Sequence, residues 1–534
     1  MVQAFIKSSL ADIDVPAVDI PTFFFESARR HDDFTRASSP RPLFTDGSES
    51  VTLDQLESMC ARLASGLYHT AGVRAGDVVA VMLPNSVHYP AIILSALMLG
   101  AACTLVNPAY TAREIGHQLA DSGASCVFTT PALRETVSSA IAEHHTIITS
   151  IFDLFHDGDF PRARIASHDA CQSTVAFIPY SSGTTGNPKG VMLSHRNIIA
   201  NVLQAAALVG RQQQQQRGYP STSAGVLPMF HSFGLLFLCF LMPYSGTSTV
   251  VMAAFSMERF LQIVQDHRVT ETMLVPPIIN GLAKMPQVTD RYELGSLATI
   301  IVGAAPLSSD TIATLEQRMP HVRILQGYGM SEASPALSLN PVAGSRNPLS
   351  IGRLVPSVDA KVIDDSGKAL GINETGELCF RGPNVMLGYV NNREETQAAI
   401  DSDGFLHTGD VGHIDEHQHV FITDRKKELI KFNGFQVAPA ELEGLLLQHP
   451  RVRDCAVVGV FDEERQTEVP KAFLVLTADG GGNGSEEQAR AVGQSVVKWL
   501  NGQVAYYKQL RGGFAVLDAI PKSASGKILR RMLK

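Results

Sequence analysis

Hydroxyl groups, glycines and a lysine crowd into one stretch, YSSGTTGNPKG, from Tyr180 to Gly190. Ser181, Ser182, Gly183, Thr184, Thr185, Gly186 and Lys189 follow an apolar run, Val175 to Ile178, that reads as a buried strand. Glycine lets backbone approach a ligand closely, and hydroxyls, exposed N–H groups and one cation can then surround phosphate oxygens. The stretch is not a Walker A loop, because Gly-Lys-Ser/Thr is missing and the spacing differs. A mobile turn has the same composition, so both readings stand on these residues alone.

Seven further blocks carry residues of chemical interest: PMFHSFG (228–234), GAAP (303–306), QGYGMSE (326–332), TGEL (375–378), GFLHTGD (404–410), DRKKELIKFNGFQVAPAELE (424–443) and PKSASGKILR (521–530). Singly, each has an ordinary alternative. Asp410 is a turn aspartate, Lys527 a solvated lysine, Glu332 a helix N-terminal carboxylate and His231 a satisfied structural histidine. In this order, however, the blocks resemble the adenylate-forming superfamily of acyl- and aryl-CoA ligases, nonribosomal adenylation domains and firefly-type luciferases, especially its 4-coumarate-CoA ligase branch.

That resemblance implies the following roles. Ser181, Ser182, Thr184, Thr185 and Lys189, with Gly183 and Gly186, cradle the pyrophosphate end of ATP. Gly303, Ala304, Ala305, Gln326, Gly327, Tyr328 and Gly329 form the adenine platform, beside Ser331, which stands where threonine is common. Glu332 binds Mg²⁺, which prefers one or two carboxylates plus phosphate oxygens. Asp410 accepts the ribose hydroxyls and Arg425 donates to the ribose. Lys527 bridges the substrate carboxylate and the α-phosphate, where two anions must meet. A hinge at Lys427 then exchanges Lys527 for Lys431 and Gln436, which serve thioester formation.

The acid pocket implied by resemblance comprises His231, Ser232, Phe233, Leu236, Met273, Ile301, Gly303, Ala304, Gly327, Gly329, Pro335, Ala336 and Leu337. Leu236 and Ile301 are aliphatic where hydroxycinnamate ligases carry polar groups, and Ala336 is smaller than their residue. The expected acid is therefore a medium-chain fatty acid or an apolar aryl acid. No acidic residue lies between Pro228 and Leu238 to pair an α-ammonium, which sets amino acids aside. Four residues follow Arg530, so a fused carrier domain is not expected and free CoA is the expected acceptor. Alternatives are a hydroxycinnamate ligase, a carrier-loading or luciferase-like adenylating enzyme, and a non-catalytic sensor; intact Lys527, Glu332, Asp410 and Gln436 speak against the last.

Elements that position these residues are legible in the pattern. Between about residues 50 and 310, short apolar strands such as Val78 to Leu83, Cys103 to Val106 and Thr299 to Val302 alternate with helical stretches such as His88 to Leu99. This predicts layered α/β sheets, largely parallel. From about 350 to 424, shorter strands between Gly and Asp turns predict a β-rich subdomain. Residues 425–534 predict a small mobile α+β C-terminal domain after an N-terminal AMP-binding domain of residues 1–424.

Composition bounds the rest. At 45% apolar and 18% charged residues, a large core is expected. A net charge of −8 argues against nucleic acid as the main partner. Seven cysteines without a Cys-x-x-Cys pair predict buried thiols in a reducing compartment. The apolar run Ala91 to Val106 falls short of the roughly 20 residues a membrane helix requires. The N-terminus is a poor secretory signal and Met532-Leu533-Lys534 is not a Ser-Lys-Leu-type peroxisomal address, so a cytoplasmic enzyme is expected. The tract Gln212 to Gln216 reads as a surface insertion.

Overall fold

A computed structural model of the chain describes residues 5–533 except 37–38, 142–144, 182–187, 210–219, 306, 343–346, 348, 426–427, 433–434, 464, 466, 478–484 and 524–525. Ser182, Gly183, Thr184, Thr185, Gly186, the glutamine tract and the hinge residue Lys427 therefore lie outside the described residues. So do the side chains of Arg425 and Gln436, whose backbone lies in strands.

The first sheet has seven strands. Val175–Ser181, Ala102–Leu105, Val78–Val81, Ala124–Phe128 and Thr146–Ile148 run parallel. The helix Tyr89–Met98, between two of these strands, has every residue buried, which is why its sequence is uniformly apolar without spanning a membrane. No helix among the described residues is long and apolar enough to cross a bilayer. Other helices carry their own start signals: Leu53–His69 begins with a capping box from Thr52 and Gln55, and Ala112–Ser122 with one from Thr111 and Glu114.

The first sheet is largely parallel, as expected, and antiparallel at one edge. Lys189–Ser194 runs antiparallel to Val175–Ser181, and Ser181 lies opposite Lys189. The glycine–hydroxyl stretch is thus the connection of a hairpin, and its first and last predicted ligands form the pair that closes it. A second, nine-stranded sheet has a parallel centre that includes Glu271–Leu274, Thr299–Val302 and Arg323–Gly329. Ala336–Leu339 then pairs antiparallel with Arg323–Gly329.

A five-stranded antiparallel sheet holds Asp359–Ile363, Gly376–Arg381, Leu406–Ile414 and Val420–Arg425. Two boundaries of the expected β-rich unit need correction. Its edge strand is Ile6–Lys7, from the far end of the chain, while Arg353–Leu354 belongs to the nine-stranded sheet. Two-residue strands carry no periodicity to reveal such partners.

Beyond this sheet the packing changes. One core joins buried residues from Val15 to Val420, whereas Ile430 to Leu510 form another around the antiparallel pair Val452–Asp462 and Thr467–Leu476. Arg530 ties the C-terminal strap to this smaller unit through Glu428, Glu443 and the carbonyl of Val457. Burial opposes its charge, but Glu443 and Glu428 outweigh that and hold its pKa above the ordinary arginine value.

Candidate active site

The three large sheets and the C-terminal strap converge on a cavity of about 490 Å³. Ser181 and Lys189 reach it from the closing pair of the hairpin. Lys189 Nζ meets Glu395 Oε2 at 2.6 Å and lies 5.1 Å from the ring centroid of Tyr389. Tyr389 in turn donates its hydroxyl to Glu332 Oε1 at 2.9 Å. Burial, then the charge of Glu332, raises the pKa of the Tyr389 phenol, so it stays a donor. Glu332 is only 6% exposed yet lines the cavity. A nearly buried carboxylate facing an open space fits a hard cation such as Mg²⁺, which takes oxygen ligands.

Asp410 is aimed by a backbone irregularity. Between the pairs Cys379–His407 and Glu377–Val411 the strand Leu406–Ile414 carries extra residues, so its ladder bulges at Thr408, Gly409 and Asp410. Gly409 sits at φ +70°, where a side chain is disfavoured, which accounts for the glycine of GFLHTGD. Thr408 Oγ1 donates to Leu378 O at 2.7 Å, and Gly409 N–H donates to Glu377 Oε1 at 3.2 Å. Asp410, 5% exposed, accepts the Tyr328 hydroxyl and stands opposite Arg425 in the sheet.

Apolar side chains line another part of the cavity. Phe233 and Phe237 pack edge to face with centroids 5.0 Å apart, and Ile301, Pro335 and Ala336 join them. Gly329 is required by close approach: a Cβ there would lie 2.1 Å from Pro335 O. Ser232 Oγ and Ser331 Oγ are 3.2 Å apart. His231 Nδ1 accepts the Phe233 N–H at 3.3 Å. Burial, then the nearby Lys527 charge, depresses the His231 pKa to about 4, so the ring is neutral at pH 7 with its proton on Nε2.

Lys527 enters from the smaller unit. It is carried on a turn in which Lys527 N–H donates to Ser523 Oγ at 3.2 Å and Ser523 N–H to Lys527 O at 2.8 Å. Both residues line the cavity.

Of the residues expected from sequence, Ser181, Lys189, His231, Ser232, Phe233, Ile301, Gly303, Ala304, Gly327, Tyr328, Gly329, Ser331, Glu332, Pro335, Ala336, Asp410 and Lys527 line this cavity. Ala305 and Gln326 do not; Gln326 is buried in its strand. Leu236, Met273 and Leu337 are fully buried and are not among the lining residues. Lys431 is exposed, its backbone pairs with that of Gln436 in a short hairpin, and its N–H donates to Glu468. Lys431 is not among the described residues that line the cavity. Sequence reasoning missed Tyr389, Phe230, Phe237 and Ser338, and gave no role to Glu377 or His407, though both stand in quoted blocks.

The model of the AMP-binding enzyme family matches residues 24–390, and that of the AMP-binding enzyme C-terminal domain matches residues 441–527. The chain belongs to the AMP-binding enzyme family. Among this family's members, a probable 4-coumarate–CoA ligase 1 of Dictyostelium discoideum is 36% identical over 100% of this chain and 98% of its own. The 4-coumarate–CoA ligase 3 of Arabidopsis thaliana is 38% identical over 99% of this chain and 93% of its own. Among solved structures, ATP-bound MatB of Rhodopseudomonas palustris superposes with a TM-score of 0.81 at 28% identity, covering 95% of this chain and 98% of that one. O-succinylbenzoate CoA synthetase of Bacillus subtilis, solved with ATP and magnesium ion, gives 0.78 at 27% identity over 95% and 98%. Like them, this AMP-binding enzyme has a large N-terminal domain and a small C-terminal one.

Proposed function

We infer that this enzyme is an ATP-dependent acid–CoA ligase that works through an acyl-adenylate. One observation carries the reading: Lys527, from the smaller unit, lines the same cavity as Glu332, Asp410 and His231 from the larger. A carboxylate oxygen attacks the α-phosphorus of ATP, the bond to the β-phosphate oxygen breaks, and pyrophosphate leaves. Lys527 offsets the repulsion between the two anions, Lys189 and the hairpin connection hold the departing phosphates, and Asp410 fixes the ribose. Glu332 would hold magnesium, which when bound neutralises phosphate charge. Neutral His231 offers an Nε2–H donor without adding charge.

In the second half-reaction CoA sulfur attacks the acyl carbonyl, the bond to AMP breaks and the thiol proton is released. The smaller unit, residues 425–534, turns on Lys427 relative to residues 1–424, withdrawing Lys527 and presenting Lys431 and Gln436. Support comes from the separate cores of the two units and from Lys431, which is exposed and outside the cavity lining. The acceptor is free CoA. All seven cysteines are buried, in keeping with a reducing compartment such as the cytoplasm.

The acid is apolar: Phe233, Phe237, Ile301 and Ala336 leave a phenolic hydroxyl few partners, and Ser338 Oγ already donates to Ile351 O at 3.0 Å. A second reading, a hydroxycinnamate such as 4-coumarate, is favoured by the names of the full-length relatives. CoA-dependent AMP release across octanoate, cinnamate, phenylacetate and p-coumarate separates the two. A preference for p-coumarate rejects the apolar acid, and no AMP with any acid rejects the ligase.

A further inference from the structure

Beside the nucleotide cavity, on one face of the five-stranded sheet, stand a carboxylate, a thiol and an imidazole. Cys379 and His407 face each other directly across neighbouring strands, and Glu377 is two residues from Cys379 on the same face. Cys379 Sγ lies 3.6 Å from His407 Nδ1, and Glu377 Oε1 lies 3.7 Å from that nitrogen. All three ligand atoms fall within 4.8 Å of one another; among the described residues no other such trio occurs.

The histidine is also oriented. His407 is held between two carboxylates, with Nε2 3.4 Å from Asp401 Oδ2 and Nδ1 3.7 Å from Glu377 Oε1; with an ion bound, Nε2 keeps its proton towards Asp401 and Nδ1 turns its lone pair to the metal. Carboxylate-backed histidines of this kind are the usual support behind a metal ligand. Lys361, opposite Cys379 in the sheet, has its charge matched by the same Asp401 at 2.6 Å.

We propose that Glu377, Cys379 and His407 form a binding site for a thiophilic divalent cation, Zn²⁺ or a similar ion, separate from the magnesium carboxylate Glu332. A tetrahedral zinc with the usual bond lengths needs ligand atoms about 3.4–3.6 Å apart. Two edges already have nearly this length, and a turn of the Glu377 side chain closes the third. Zinc takes the place of the thiol proton, which leaves through the cavity, and a water from the cavity supplies the fourth ligand; Glu377 and His407 line that cavity, and the buried Cys379 lies within 3.6 Å of His407 Nδ1. A thiolate and an imidazole select zinc over Mg²⁺, which demands oxygen. Occupancy draws Glu377 from the Gly409 N–H, next to Asp410, so the ion opposes nucleotide binding.

The test uses the full chain, stripped of metal and held in excess Mg²⁺, titrated with Zn²⁺ against a chromophoric chelator and separately with Co²⁺. Expected are one ion per chain and a thiolate-to-cobalt absorption band. Cys379→Ser should abolish the band, and Asp401→Asn should weaken zinc binding by about tenfold. Cys379 is as buried as the other six cysteines, so the assignment of the band to it rests on the Cys379→Ser variant. If no ion binds, or if Cys379→Ser keeps both band and affinity, the proposal is overturned. Should Cys379→Ser fail to give a cooperative thermal melt, His407→Gln decides on the same readouts.

Discussion

Glu332 and Asp410 are held in the cavity by partners from other elements, whereas Lys527 is placed by a turn of its own strap. Tyr389 reaches Glu332 across 57 residues of chain and Tyr328 reaches Asp410 across 82, all within one continuous core. The Ser523–Lys527 turn closes on itself, in a unit with a core of its own. The contrast separates two tasks. Under the proposed function, groups that bind the nucleotide need a fixed geometry in both half-reactions, and the cross-element hydrogen bonds of Glu332 and Asp410 suit that need. A cation needed in one half-reaction alone is better carried on a self-contained element that can leave without unmaking the site.

The sharpest break of this comparison is Lys527→Ala. Adenylation, followed by ATP–pyrophosphate exchange, should fall by about 10²–10³-fold, as for loss of one preorganised electrostatic donor. Conversion of supplied acyl-AMP to thioester should persist. Gln436→Ala should give the opposite pattern. If both variants lose the same half-reaction, the exchange of residues by domain rotation is wrong.

Acid should act on the larger unit. His195 is buried, accepts the Ile20 N–H at Nδ1, and has its pKa lowered to about 4, chiefly by burial. Its folded-state pKa lies below its ordinary value of 6.5, so the unfolded chain binds the proton first on acidification. Stability from this group is complete above pH 6.5 and declines as pH falls towards about 4, by about 3 kcal/mol in full. His231 contributes in the same direction. Urea unfolding across this window should show the loss, and His195→Gln should flatten it. An unchanged slope in that variant would place the acid sensitivity elsewhere.

Asp410→Asn tests the fixed part of the site. A hydrogen bond to a charged group contributes about 1.5–3 kcal/mol. The KM for ATP should therefore rise by roughly ten- to a hundredfold, with the KM for the acid nearly unchanged. Equal rises in both would mean that Asp410 supports the cavity as a whole and does not read the ribose.

The residues proposed to bind nucleotide were legible as cavity-lining residues because each depends on local backbone chemistry that the sequence spells out: the bulge glycine of GFLHTGD, the close-approach Gly329 of QGYGMSE, the turn of PKSASGK. The apolar lining was less so, because it depends on which face of an element turns inward. Ala336 and Ser338 line the cavity while Leu337 between them points into the core, as strand alternation requires. Phe233 and Phe237, four residues apart on a helical segment, share the face that Leu236 does not. Met273 is in register with Ile301 on the next strand and, unlike it, is not among the lining residues. Tyr389 belongs to a two-residue strand whose partner at Glu332 is fixed only by tertiary packing, so no local pattern could announce it.

The smallest expected effect falls on that apolar lining. Ile301→Thr keeps a β-branched side chain in its strand but puts a hydroxyl where the cavity now offers carbon. A neutral hydrogen bond adds about 1 kcal/mol, so the ratio of kcat/KM for p-coumarate to that for cinnamate should rise about fivefold. Nucleotide binding should not change, because Ile301 has no polar atom to lose and Asp410 and Glu332 are held by other elements. A shift in the KM for ATP as large as the shift in acid preference would show that the two parts of the lining are coupled, and that the division between a fixed nucleotide seat and a separately tuned acid pocket is mistaken.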